Sequence, residues 1–109
     1  MNEDPDIKDC SALMCGHLPA LRNILKLTQE KTAVLCGTSR VKIIQYEHKV
    51  SKVTKAVLVA LITYFSMRPK TAQYLRTVGL YNNKFVRSFG FREEIIAAVI
   101  DRNINGDAP

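Results

Sequence analysis

A stretch of twenty residues, 28–47, limits the folds open to this chain; its sequence is TQEKTAVLCGTSRVKIIQYE. Thr28 and Ser39 each stand where a helix N-cap is expected, since their hydroxyls can accept from free N–H groups in a first turn. Gly37 lies between the two predicted helices and favours a sharp turn with positive φ. Ala33, in the middle of the first helix, is small enough to let the second helix cross closely. The stretch therefore predicts a helix-turn-helix.

Helical periodicity continues on both sides of this pair, whereas no segment shows the strict alternation of a half-buried strand. Further helices are predicted over about 18–27, 55–66, 69–78 and 92–103, with a turn at residues 82–83. The residues predicted to face inward are Ile43, Tyr46, Val57, Leu58, Leu61, Ile62 and Phe65. The apolar residues of the first of these helices share one face: Leu18, Leu21, Ile24 and Leu25. Those of the last helix lie on one side: Ile95, Ile96, Val99 and Ile100. The pattern predicts an all-α fold: a compact bundle of about six short helices that contains the helix-turn-helix and ends in a C-terminal helical extension.

The chain is predicted to divide into three parts within one small domain. Residues 1–11 are acidic, contain Pro5 and show no helical period, so we expect a flexible acidic tail. Residues 12–66 form the helix-turn-helix core, with Pro19 in the first turn of the first helix, where its missing N–H needs no partner. Residues 67–109 form the helical extension, whose last helix would pack on the core, support dimerisation, or do both.

Charge is unevenly placed along the chain. Residues 18–92 hold fourteen Lys and Arg against only Glu30 and Glu47, whereas both ends of the chain are acidic. The whole chain carries a formal charge of +6, so this basic body is more strongly charged than the total suggests. A body of this sign attracts polyanions, with nucleic acid the first candidate and an anionic membrane surface the second.

Composition argues against a membrane-spanning or secreted protein. The longest uninterrupted apolar run is residues 56–62, far short of the ~20 residues that cross a bilayer. No basic segment followed by a long apolar stretch opens the chain, so no signal peptide is predicted. The three cysteines are an odd number, which argues against a disulfide framework and favours a reducing compartment. We therefore predict a cytoplasmic protein with no membrane partner.

The residue types that usually carry catalysis or metal binding are not arranged for either. Cys10, Cys15 and His17 lack the close cysteine pair and the fourth ligand of a structural zinc site. No GxSxG motif, phosphate-binding loop or paired carboxylates occur. We predict no catalytic residues, no metal, no cofactor and no enzymatic activity.

Residues 18–66 resemble the helix-turn-helix of the phage-repressor and Cro-like family, also called the XRE family. The positions that match in one register are Leu21, Arg22, Leu27, Thr28, Gln29, Glu30, Ala33, Gly37, Thr38, Ser39, Arg40, Ile43 and Glu47. The resemblance implies a sequence-specific transcriptional regulator that binds double-stranded DNA as a homodimer on two half-sites. It further implies a repressor from a phage, a plasmid or another mobile element. Residues 67–109 match no pattern of the family.

The resemblance also implies roles for individual residues. The recognition helix would begin near Ser39 and turn four side chains towards the bases: Arg40, Val41, Ile44 and Gln45. Gln29 falls on the glutamine that holds a phosphate in the family. The residues predicted to contact the DNA backbone are Thr28, Gln29, Ser39, Lys42, Lys49, Lys52 and Lys55.

Four positions depart from the family pattern. Thr32 replaces the usual Leu, which predicts a thinner core contact, and Lys49 replaces a common Gly, which predicts a differently shaped loop after the recognition helix. Val41 and Ile44 are apolar where polar residues are common; they would meet either thymine methyl groups or a protein surface. An alternative function is an antitoxin-like or adapter protein whose helices bind a protein partner. An exposed apolar groove along residues 80–104 would favour this alternative.

Overall fold

The computed structural model describes residues 4–104, with side chains to residue 101. This part forms α1 (Pro5–Ile24), α2 (Gln29–Cys36), α3 (Arg40–Glu47), α4 (Lys55–Ser66), α5 (Pro69–Thr77), a 3-10 turn (Leu80–Asn82), α6 (Lys84–Ser88) and α7 (Glu93–Ile104). No strand occurs within these described residues, so the prediction of an all-α bundle of short helices is confirmed. Residues 1–3 of the predicted tail and 105–109 of the predicted extension lie outside the described residues.

Helix α1 begins at Pro5, so the prediction of a flexible tail is wrong for residues 5–11. Asp4 is the N-cap, and its carboxylate accepts a hydrogen bond from the Asp6 N–H at 2.8 Å. Pro5 occupies the first helical position, where a proline lacks only an N–H that has no partner in the helix. Pro19 lies inside α1 and not in a first turn, which removes one backbone hydrogen bond from the middle of the helix.

The first half of α1 is held by burial of residues that are weakly apolar or polar. Cys10 and Met14 are buried, and so is Ser11, whose Oγ accepts from the Val53 N–H at 3.2 Å. The Asn83 side chain donates to the Asp6 carbonyl at 2.8 Å. Because cysteine and serine form part of the buried face, the helical period of this segment is weak in the sequence.

Within the described part of the chain, one hydrophobic core joins the seven α-helices. Residues after 66 belong to it as fully as the helix-turn-helix does, since Leu75 on α5, Leu80 in the 3-10 turn and Val86 on α6 are all buried. A buried hydrogen bond of 2.8 Å joins the Tyr81 and Ser66 hydroxyls, and burial raises the pKa of Tyr81 to about 12. The helical extension is therefore packed onto the same core that positions α2 and α3.

Helix α7 packs against α5 through one face only. Ile96 and Ile100 are buried, Val99 is half-buried, and Ile95 is 53% exposed. Ile95 was predicted to share one side of this helix with Ile96 and Ile100, but it lies outside the contact with α5. The α7 face that contacts α5 centres on positions 96 and 100, and an adjacent residue points about 100° away.

The segment between α5 and α7 contains more regular structure than the sequence predicts. In place of a simple turn at residues 82–83, the chain forms the 3-10 turn and the short helix α6. The Asn83 side chain caps α6 by accepting from the N–H groups of Phe85 and Val86 at 2.8 and 3.2 Å. The helix is only one turn long, too short to show a sequence period.

Candidate nucleic-acid interface

Helices α2 and α3 form the predicted helix-turn-helix, and both predicted N-caps are confirmed. Thr28 Oγ1 accepts from the Lys31 N–H at 3.0 Å, and Ser39 Oγ accepts from the Lys42 N–H at 3.2 Å. Gly37 ends α2 with φ of 70°, the left-handed conformation that was predicted for the turn. These local contacts determine where α3 begins and which of its side chains lie in its first turn.

Helices α2 and α3 are in contact, and both contribute buried residues to the common core. Ala33 and Ile43 are both buried in the common core. Thr32 is also buried, and its hydroxyl donates to the Thr28 carbonyl at 2.9 Å, so it has a partner at the position where Leu is usual. Cys36 is half-buried, and burial raises its pKa to about 11, so it is a neutral thiol that packs as a small hydrophobe.

The substitution Gly37→Val is expected to lower the free energy of unfolding by roughly 1–3 kcal/mol, because a β-branched residue is strained at positive φ. No atom lies within 4 Å of a Cβ added there, so strain and not a clash is the cause. Denaturant unfolding followed by circular dichroism measures the change. Gly16→Ala, inside α1, is the control and should instead raise stability by up to about 1 kcal/mol. Unchanged stability for Gly37→Val would contradict the arrangement of this turn.

An ion pair joins the end of α3 to α1. Arg22 donates from Nε and Nη2 to the two carboxylate oxygens of Glu47, the second at 3.0 Å, and from Nη1 to the Leu27 carbonyl at 2.9 Å. Gln29 Nε2 also donates to Glu47 Oε1, at 3.1 Å. The side chains of Arg22 and Glu47 are only 14% and 6% exposed. This cluster connects α1, the start of α2 and the end of α3. Its three members match the Cro-like pattern in the sequence, but no contact between them was predicted.

The predicted base-contacting residues differ in exposure. Arg40 and Val41 are exposed in the first turn of α3, whereas Ile44 and Gln45 are half-buried. Gln45 Oε1 accepts from the Ser51 hydroxyl at 3.1 Å. This bond orients the amide and still leaves its Nε2 and one oxygen lone pair for a further partner. Ser51 was not predicted, since nothing in the sequence pairs it with Gln45.

The predicted backbone-contacting lysines are not all brought together. Lys49 and Lys52, in the loop after α3, line a cleft that they share with Lys8 of α1. Lys55, in contrast, has its Nζ over the Phe85 ring, 5.9 Å from the centroid, so it contacts α6. The other predicted contacts lie at the starts of α2 and α3, within one turn of an N-cap.

The loop after α3 contains a residue in the left-handed conformation, at a position where the Cro-like proteins that this stretch resembles commonly have glycine. Lys49 has φ of 60°, and its N–H donates to the Tyr46 carbonyl at 3.0 Å. The next N–H, of Val50, donates to the Gln45 carbonyl at 2.9 Å. Lys49 thus adopts the left-handed conformation that glycine adopts readily, which costs a lysine about 1–2 kcal/mol.

The two cysteines and the one histidine of α1 are used for packing and hydrogen bonding. Among residues 4–101, no three His, Cys, Asp or Glu side chains are placed to hold one metal ion. Burial raises the pKa of Cys10 to about 12 and also raises that of Cys15. His17 Nδ1 and the Tyr74 hydroxyl are hydrogen-bonded at 2.7 Å, which joins α1 to α5.

The chain matches no family model, no curated protein and no solved structure. None of the helices in the described part of the chain is both long and apolar enough to cross a bilayer. The function is therefore inferred from the geometry and charge of α2, α3 and the loop that follows α3.

Proposed function

We propose that the protein is a sequence-specific DNA-binding transcriptional regulator of the Cro-like (XRE) type, acting in the cytoplasm as a dimeric repressor. The proposal depends chiefly on the exposure of α3. The first turn of α3 is exposed and contains Arg40, and the turn at Gly37 connects α3 to α2. A helix presented in this way fits the major groove of duplex DNA. The cluster of Arg22, Gln29 and Glu47 adds support, because three distant positions of the family pattern meet in it.

The exposed side of α3 supplies side chains for reading bases. Arg40 is suited to the O6 and N7 atoms of guanine, and the Gln45 amide is suited to adenine. The bond from Ser51 orients that amide before DNA arrives, which reduces the entropy lost on binding. Val41, 62% exposed, would meet a thymine methyl group. Gln29 Nε2 keeps a second N–H for a phosphate while it donates to Glu47.

A homodimer would place two such helices in successive major grooves, about 34 Å apart. The outer side of α7 and the end of α6 offer apolar surface for a second copy, with Ile95 53% and Phe89 45% exposed. Repression would follow from occlusion of a promoter by the bound dimer. Selection of bound sequences from a random duplex library tests the proposal and should yield a palindromic motif. No enriched motif would contradict sequence-specific binding, and a motif without two-fold symmetry would contradict the dimer.

The exposed apolar side chains also support the alternative, an antitoxin-like or adapter protein. Val41 on α3 and Ile95 on α7 are both more than half exposed, and such residues also occur at protein interfaces. In this alternative, DNA binding is secondary and the helices contact a protein partner. The variants Arg40→Ala and Gln45→Ala of the recognition helix discriminate between the two functions.

The substitutions Arg40→Ala and Gln45→Ala are each expected to reduce affinity for the selected duplex by roughly 1–3 kcal/mol, with little change on scrambled duplex, because base contacts carry the sequence information. Competition assays with the two duplexes measure the ratio of the affinity for the selected duplex to the affinity for the scrambled duplex. The matched controls are Arg87→Ala and Gln73→Ala, which remove the same residue types from exposed positions on α6 and α5.

The variant Gln29→Ala is expected to weaken binding to selected and scrambled duplexes about equally, since a phosphate contact is independent of sequence. If Arg40→Ala and Gln45→Ala both leave the ratio unchanged, the assigned recognition face is wrong. If they also leave DNA affinity unchanged but weaken binding of a protein partner, the adapter function is favoured.

A further inference from the structure

A second basic cleft lies outside the recognition helix, between the end of α1 and the start of α5. It is lined by residues 24–26, by Tyr64 on α4 and by residues 68–70, and has a volume of about 440 Å³. We call it the α1–α5 cleft. Three of its lining residues are basic and none is acidic. None of these basic residues was predicted to contact a ligand.

The three cations of the cleft are Lys26, Arg68 and Lys70. Within residues 4–101, none of them forms an ion pair with a carboxylate. Isolated surface lysines are usually just solvated, but three cations around one concave surface repel each other and concentrate anions there. The cleft therefore has the charge of an anion site.

Lys26 adopts an unfavourable backbone conformation. Its N–H donates to the Asn23 carbonyl at 3.2 Å and the Leu27 N–H donates to the Arg22 carbonyl at 2.9 Å, so α1 ends in a Schellman motif. Lys26 occupies the left-handed position of this motif with φ of 56°, where glycine is usual. At the end of α2 the same conformation is taken by Gly37. A lysine kept in a strained conformation points to a use for its side chain.

Arg68 is held in place by an aromatic ring. Its guanidinium carbon lies 5.2 Å from the centroid of the Tyr64 ring. The guanidinium makes no hydrogen bond to a described residue, so its N–H groups remain available to a ligand. A planar guanidinium whose face is covered but whose edge is open matches two oxygens of a phosphate.

We propose that the α1–α5 cleft is a phosphate-binding site, in which Arg68 donates to two phosphate oxygens while Lys26 and Lys70 supply flanking charge. The phosphate has two chemical sources. One is the DNA backbone, because Lys26 is two residues before Thr28 at the start of α2; this source rests on the proposed function. The other is a phosphorylated small molecule, because residues 24–25 and Tyr64 add an apolar wall beside the cations. This second source is independent of the proposed function.

The first experiment titrates ¹⁵N-labelled protein with inorganic pyrophosphate at constant ionic strength and follows backbone amide shifts. Saturating shifts are expected at residues 24–26 and at Arg68 and Lys70. Arg68→Ala and Lys26→Gly should each weaken binding by about tenfold, the value of one charge-assisted hydrogen bond. Lys26→Gly is the most informative variant, since glycine relieves the left-handed strain and the protein should remain at least as stable as wild type. Lys84→Ala, which removes an exposed cation from α6, is the matched control and should bind pyrophosphate normally.

The second experiment identifies the source of the phosphate. If the cleft contacts DNA, Lys26→Gly and Arg68→Ala should each reduce the slope of log affinity for duplex against log salt by about 1, whereas Lys84→Ala should not. Loss of pyrophosphate binding with an unchanged slope would assign the cleft to a phosphorylated small molecule. If pyrophosphate shifts no cleft amide and the slopes are also unchanged, the proposal is wrong. Should the protein not bind duplex at all, the proposed function fails and the pyrophosphate titration alone decides the cleft.

Discussion

Glu47→Ala is expected to lower the free energy of unfolding by about 3–5 kcal/mol, a large fraction of the stability of a domain of this size. The Glu47 carboxylate is almost fully buried and accepts from Arg22 and Gln29. Its removal leaves the Arg22 guanidinium buried with only the Leu27 carbonyl as a partner. An uncompensated buried charge costs far more than the net stabilisation that the intact pair provides. Urea unfolding followed by circular dichroism measures the loss.

Two further variants test whether the unpaired buried charge of Arg22 causes the loss of stability. Glu30→Ala removes an exposed carboxylate from the first turn of α2 and should cost no more than about 1 kcal/mol, the contribution of a helix-dipole interaction. The double variant Arg22→Met/Glu47→Met removes both charges and should recover most of the lost stability. A double variant as unstable as Glu47→Ala would show that an unpaired buried charge is not the cause.

Affinity for the selected duplex is expected to fall about 10³-fold between roughly 50 and 200 mM monovalent salt, provided that about six phosphates are contacted. The corresponding slope of log affinity against log salt is roughly −5, because each neutralised phosphate releases a condensed counterion. The charge needed is present, since residues 18–92 hold fourteen Lys and Arg against two acidic residues. Fluorescence anisotropy of a labelled duplex over a salt series measures the slope. A flat response would rule out DNA binding, whereas a steep slope with no preference among duplexes would support only non-specific binding.

Signals that act within one helical turn were sufficient to predict the helix-turn-helix. Thr28 and Ser39 accept from N–H groups three residues ahead, and Gly37 needs only its own left-handed conformation. Such contacts depend on neighbouring residues and not on the rest of the fold, so they can be predicted from a short stretch of sequence. The inward positions Ile43 and Tyr46 followed from the period of the helix and are buried as predicted.

Elements with weak local signals were predicted incorrectly or missed. Asp4 and Pro5 are a recognisable helix start, but the segment that follows buries Cys10 and Ser11 in place of strongly apolar residues. Ile95 belongs to a helix that was predicted, yet its apolar character did not determine which side of α7 meets α5. In both cases the packing partner decided the outcome, and that partner is distant in the chain.

The class of fold, the boundaries and caps of α2 and α3, and the basic charge of the chain could all be predicted from the sequence. The pairing of polar side chains depends on how the helices pack: Glu47 pairs with Arg22, and Gln45 pairs with Ser51. Packing also brings the three cations of the α1–α5 cleft together. The difference arises from separation along the chain. Caps and helical period act over three or four residues, whereas Arg22 and Glu47 are 25 residues apart and meet only when α1, α2 and α3 pack together.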